Sequence, residues 1–94
     1  MAKSTSAVTV LLAAHNEAPT IVDIIERCLK VCPPGSVVLV VDDGSTDETA
    51  SLARAAGAQV LRLDENVGKG QAIRTGLCLA RHPRLVLLDA DGQD

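Results

Sequence analysis

The sequence predicts an α/β domain, a Rossmann-like parallel sheet laid down in the order β-α-β-α-β-α-β. Three observations carry that prediction. Four short apolar runs, Val8–Ala13, Val37–Val41, Ala58–Leu63 and Arg84–Leu88, have the length and composition of strands. Segments of helical period separate them, and such alternation argues for a parallel sheet with right-handed crossovers. Two of the runs end on close-set acids, Asp42-Asp43 and Asp89-Ala-Asp91, which lines one rim of the sheet with carboxylates. Ligands of open α/β sheets bind at that rim.

Each element has its own local cause. Val8-Thr-Val-Leu-Leu-Ala13 is short and rich in β-formers. Pro19 suits the first turn of the following helix, whose Ile21, Ile24, Ile25, Cys28 and Leu29 recur at helical spacing. Asn16 is placed to cap that helix, with Glu17 facing its dipole. Pro33-Pro34-Gly35 ends it. Val37 to Val41 is apolar without interruption, the pattern of a strand covered on both faces.

Ser45-Thr-Asp-Glu48 reads as a capping box, with Ser45 as N-cap and Glu48 reaching back. The helix it opens runs through Leu52 and Ala53 and stops at Gly57. Ala58 to Leu63 is a weaker third strand. Gly68-Lys-Gly70 precedes a helix carrying Ile73, Leu77 and Ala80, which ends before Pro83. Arg84 to Leu88 is the fourth strand.

Ninety-four residues make one small domain, with residues 1–7 expected as a disordered N-terminus and 8–94 as the folded unit. No Phe, Tyr or Trp is present, so the core is built from Val, Leu, Ile and Ala, and no aromatic platform can stack on a ligand. A net charge of −3 with scattered Lys and Arg argues against nucleic acid. Cys28 and Cys32 share a helix face, where core packing is the ordinary role, and no second Cys/His pair completes a zinc site. Free thiols suit a reducing compartment, and neither a signal peptide nor a long apolar run is present, so a cytoplasmic location is expected. A sheet whose last strand closes on its own acidic motif reads as the front part of a longer protein.

Chemistry gathers at three strand ends. In Asp89-Ala-Asp91-Gly-Gln93 the two carboxylates can lean toward one point while Ala90 faces away, and Gln93 adds a carbonyl oxygen. Such hard oxygen donors suit Mg²⁺ or Mn²⁺ carrying a phosphorylated ligand, although alone they also fit a polar turn. Of the adjacent carboxylates Asp42 and Asp43, one can accept from a base N–H or a ribose hydroxyl, and His15-Asn16-Glu17 adds an acceptor to the same rim. Asn66-Val-Gly-Lys-Gly-Gln71 fails as a P-loop, since Leu63 and Gly70 stand where Gly and Ser/Thr are required. A Gly-rich helix start with Lys69 can still meet phosphate. No G-x-G-x-x-G follows the first strand, which argues against NAD.

Together these segments resemble the nucleotide-donor half of a family 2 glycosyltransferase of GT-A fold, over residues 8–94. The Asp-Ala-Asp-Gly-Gln segment is similar to that of the dolichyl- and polyprenyl-phosphate hexosyltransferases, mannose synthases among them. The resemblance implies a GDP- or UDP-hexose donor and, in a full-length protein, transfer to a polyprenyl phosphate at the cytoplasmic face of a membrane. It implies that Ala13, His15, Glu17, Val41 and Asp43 line the base and ribose. Asp89, Ala90, Asp91 and Gln93 would hold the donor diphosphate, with Asp89, Asp91 and Gln93 as ligands of the divalent ion. No catalytic base is implied within the chain. Where the family often has Pro-x-Tyr-Asn-Glu this chain has Ala13-Ala-His-Asn-Glu17, which leaves the base open.

Two other classes share some of these features. Asp89-Ala-Asp91-Gly also resembles the haloacid-dehalogenase phosphatase signature, but that family expects Thr at the position of Gln93, and the motif there opens the domain rather than closing it. A non-catalytic nucleotide-binding fragment, self-associating through the edge of its last strand, is the remaining alternative.

Overall fold

The computed structural model describes residues 7–80 and 84–89. Four strands, β1 (Thr9–Ala14), β2 (Val37–Asp43), β3 (Gln59–Leu63) and β4 (Leu85–Asp89), alternate with α1 (Ala18–Val31), α2 (Thr49–Ala55) and α3 (Lys69–Leu79). All strand pairs are parallel, in the order β3-β2-β1-β4. The expected α/β class and element order are those observed.

Period-2 alternation divides the side chains of β1 and β2 between two cores. Val10, Leu12, Ala14, Val38 and Val40 pack with Ile21, Ile25 and Cys28 of α1 and Ala53 of α2. Leu11, Leu39 and Val41 face the other way, onto Ala72 of α3. Complete burial of a side chain such as Leu12 or Ile25 stabilises by about 1.5–3 kcal/mol. Burial, with Cys32 as the lesser cause, pushes the Cys28 thiol above its ordinary range. Gly76 is what lets α3 lie close. A Cβ there would come within 2.5 Å of Leu11 and 2.9 Å of Val41.

Four details differ from the sequence expectation. β2 runs on to Asp43, because Asp42 and Asp43 still pair with Arg62 and Leu63 of β3. Ala7, expected within the disordered N-terminus, is buried, and residues 1–6 lie outside the described residues. Leu29 leaves the core stripe and is 40% exposed, its tip lying over Gly57 instead. The third correction of boundary, at α2, concerns the site and follows below.

Among the described residues β4 pairs only with β1, and its apolar Val86, Leu87 and Leu88 are exposed. Leu85, at the start of the strand, still packs against the Leu11/Leu39/Val41 core, whereas Val86, Leu87 and Leu88, which alternate between the two faces, are only partly covered by the described residues.

Candidate functional site

At the C-terminal rim of the sheet the β1–α1 and β2–α2 loops cap one another. The backbone N–H groups of Asn16, Glu17 and Ala18 donate to Ser45 Oγ (2.8 Å), Thr49 Oγ1 (2.9 Å) and Asp47 Oδ2 (3.2 Å). In return Asn16 Oδ1 accepts from the backbone of Thr46 (2.8 Å) and Asp47 (3.3 Å) and from the Thr46 hydroxyl. The expected capping box is therefore not formed. α2 starts at Thr49, not after Ser45, and no side chain caps it from the N-cap position. Nor does Asn16 cap its own helix, whose N-cap position is Glu17. Ser45 is committed to the other loop, and Asp47 takes over locally by accepting from the Thr49 hydroxyl and backbone N–H. The Thr49 hydroxyl bond, ahead of the backbone donors, holds the Asp47 carboxyl below its ordinary range against a lesser desolvation effect.

Asp42 and Asp43 point to opposite faces and do different work. Asp42 is fully buried on the α1/α2 side, where Oδ1 accepts from the Ser45 N–H at 3.1 Å. Its Oδ2 receives no hydrogen bond, but lies 3.6 Å from Arg62 Nε as an ion pair. Arg62 also donates to the Ser45 carbonyl at 2.8 Å, so β3 ties down both ends of this turn. Asp43 faces α3 and is 4% exposed. Its two oxygens accept from the backbone N–H groups of Val67 (2.8 Å) and Gly68 (2.9 Å).

Between these loops lies a cavity of about 180 Å³, lined by Ala13, Ala14, His15, Glu17, Asp43, Asn66, Gly68 and Lys69. His15 Nδ1 is 3.1 Å from the Asp43 carbonyl oxygen and 3.2 Å from Asn66 Nδ2. The carbonyl can only accept, so that bond needs the proton on Nδ1 and leaves Nε2 as an acceptor. The Asn66 amide nitrogen instead needs Nδ1 bare, so the two contacts belong to alternative tautomers. Asn66 is itself oriented by the Gly68 N–H, which donates to its Oδ1 at 3.2 Å.

The cavity brings together Ala13, His15, Glu17 and Asp43 of the expected donor residues. Val41 is not among them. It is completely buried beneath α3, and its side chain belongs to the core. Asp89 ends β4 in register with Ala13, which sets its backbone on the cavity's rim one strand away from β1. Ala90, Asp91 and Gln93 lie outside the described residues, as does the side chain of Asp89. Among the described residues no cluster of acids, His or Cys is arranged to hold a metal ion.

Sequence reasoning passed over Ala14 and Asn66 and named Gly68 and Lys69 only as a general phosphate signal. An Asn two residues before a Gly is an available cue for such a turn, since its side chain readily accepts from the backbone two positions on.

The family model for glycosyl transferase family 2 matches residues 9–94. A dolichyl-phosphate beta-glucosyltransferase of Drosophila melanogaster is 37% identical over 89% of this chain and 30% of its own length. Among solved structures, glucosyl-3-phosphoglycerate synthase from Mycobacterium tuberculosis, in complex with Mn²⁺, UDP-glucose and phosphoglyceric acid, superposes with a TM-score of 0.80. It is 29% identical over 94% of this chain and 34% of its own. A mannosyltransferase from Pyrobaculum calidifontis, in complex with GDP-Man and Mn²⁺, gives a TM-score of 0.78 and 31% identity over 89% of this chain and 27% of its own. The chain spans about a third of the length of the curated relatives it matches. Fold, rim and match along nearly the whole sequence agree, and the chain belongs to glycosyl transferase family 2.

Proposed function

We propose that this chain binds a nucleoside-diphosphate hexose across the C-terminal rim of its sheet, as the donor-binding portion of a hexosyltransferase. The observation that carries the proposal is the cavity between the β1 and β2 ends, with the end of β4 set beside it at Ala13. At about 180 Å³ it is smaller than the roughly 300–1,000 Å³ of a typical ligand site. It therefore receives the nucleoside, and the diphosphate lies outside it, toward β4.

His15, Glu17 and Asp43 offer the nucleoside hydrogen-bonding groups, and Ala13 and Ala14 let it approach the backbone closely. Asp89, Asp91 and Gln93 would hold a divalent ion, a donor set of hard oxygens that suits Mg²⁺ or Mn²⁺. The Mn²⁺ in complex with the two similar structures supports a divalent ion as cofactor. When bound, such an ion neutralises charge on a departing nucleoside diphosphate. The chain's own residues bind and orient the donor, and none is assigned as nucleophile or general base.

The finer assignments extend the same proposal. A polyprenyl phosphate acceptor is supported by the similarity to a dolichyl-phosphate beta-glucosyltransferase, and we propose a longer protein that works at a cytoplasmic membrane face. No helix among the described residues is long and apolar enough to cross a membrane. Calorimetric titration of the chain with UDP and with GDP in the presence of Mn²⁺ tests the proposal. Saturable binding that Asp91→Asn weakens without altering the fold is expected, and absence of binding by either nucleotide would refute it.

A further inference from the structure

Asp43 is positioned to take a nucleoside, yet both its oxygens are engaged by the chain itself. Val67 and Gly68 donate to them at 2.8 and 2.9 Å, and Asp43, the acceptor, is 4% exposed. A second and independent feature holds the same segment at the same place. A Cβ on Gly44 would come within 2.6 Å of the Asn66 backbone nitrogen and 2.7 Å of the Glu65 carbonyl carbon. The β3–α3 loop thus sits directly on the backbone at the end of β2, and Gly44, at φ +72°, has no side chain to keep it away.

What this loop delivers is the far wall of the cavity, namely Asn66, Gly68 and Lys69. The same end of β2 reaches the near wall, since the Asp43 carbonyl lies 3.1 Å from His15 Nδ1. One residue therefore joins both walls, by carboxylate on one side and carbonyl on the other. Hydrogen bonds to a carboxylate are roughly twice as strong as neutral ones, which suits a joint that must hold a short loop.

We infer that Asp43 and Gly44 form a seat for the β3–α3 loop, with Asp43 acting as a positioning residue that builds the donor cavity through Val67 and Gly68. This deepens the donor-site proposal and rests on it. A carboxylate serving only as an acceptor for the nucleobase would leave the loop's placement indifferent to it. A seat makes loop order and nucleotide affinity change together.

Two substitutions separate these roles. Asp43→Asn keeps the shape but turns an amide N–H₂ toward one of the two backbone donors. Gly44→Ala keeps the carboxylate and displaces the loop by steric contact, with added backbone strain at φ +72°. NMR of the unmutated chain should show through-hydrogen-bond couplings from the Val67 and Gly68 amide nitrogens to the Asp43 carboxylate carbon, a measurement that needs no variant to fold.

Both variants should make those two amides fast-exchanging and mobile while the β1 and β2 amides keep their protection. Asp43→Asn should weaken UDP or GDP binding by about tenfold or more, the loss of one charge-assisted bond, and Gly44→Ala should weaken it too by moving the cavity wall. Unchanged Val67 and Gly68 amides in Asp43→Asn, or full nucleotide affinity in Gly44→Ala with the loop displaced, would overturn the inference. Missing couplings in the unmutated chain would overturn it too. Failure of the unmutated chain to bind either nucleotide would instead strike at the donor-site proposal, with the couplings still reporting on the seat.

Discussion

Asn16 is the described non-glycine residue with a left-handed backbone, at φ +53°, and its side-chain oxygen accepts from two backbone N–H groups and a hydroxyl of the neighbouring loop. Asn tolerates that conformation better than most residues because its short polar side chain can bond locally. Here the bonds go to a loop some thirty positions along the chain. Replacing it tests two terms separately. Asn16→Ala loses the bonds and adds backbone strain, whereas Asn16→Gly loses the bonds alone. Since water replaces part of what is lost at an exposed loop, the Ala variant should be destabilised by about 2 kcal/mol, and the Gly variant by about 1 kcal/mol less than that. Urea unfolding of both variants measures the difference, and equal stabilities would contradict the strain term. The same residue shows why local reading stops short. The sequence marks Asn16 and Ser45 as helix caps by type and spacing, but which helix each one serves depends on a loop brought alongside by the fold.

At the scale of elements the sequence was far more legible. Apolar runs of five or six residues and stripes of period 3.6 depend only on local spacing, so β1 and α1 emerge within a residue or two of their observed limits. Boundaries set by pairing were harder to see. β2 gains Asp42 and Asp43 because β3 lies beside them, and α2 loses its first turn because residues 45–47 bond across to β1–α1. Helix α3 offers a contrast between position and propensity. Changing a mid-helix Gly to Ala ordinarily gains up to about 1 kcal/mol. At Gly76 the added methyl meets Leu11 and Val41 in a filled core, where overpacking costs about 1–3 kcal/mol. At Gly70 nothing lies within 4 Å. Gly76→Ala should therefore lower the melting temperature and Gly70→Ala should leave it equal or higher, as calorimetry would record. A stabilised Gly76→Ala would mean that α3 does not approach the sheet as described.

Over the whole molecule, the sheet presents one rim for chemistry and, among the described residues, one apolar edge strand that is only partly covered. Val86, Leu87 and Leu88 on edge strand β4 give the isolated chain a surface prone to strand addition. Sedimentation should show association rising toward millimolar concentration, and Leu87→Lys should reduce it. A strict monomer throughout that range would count against this expectation. The candidate site was legible as a rim, because acids close to the ends of β2 and β4 are visible in the sequence and parallel topology brings those two strand ends to one side. Its far wall was less so, since Asn66 and Lys69 reach the cavity only through the seating of a loop on Asp43 and Gly44. The central claim is that the donor spans from this cavity to the acids of β4 through a divalent ion. Titrating UDP or GDP into the unmutated chain, once with Mn²⁺ and once with chelator, tests it most directly. The claim predicts tighter nucleotide binding with Mn²⁺ and, by reciprocal linkage, Mn²⁺ binding tightened by nucleotide through the same factor. Equal nucleotide affinity with Mn²⁺ and with chelator would contradict it.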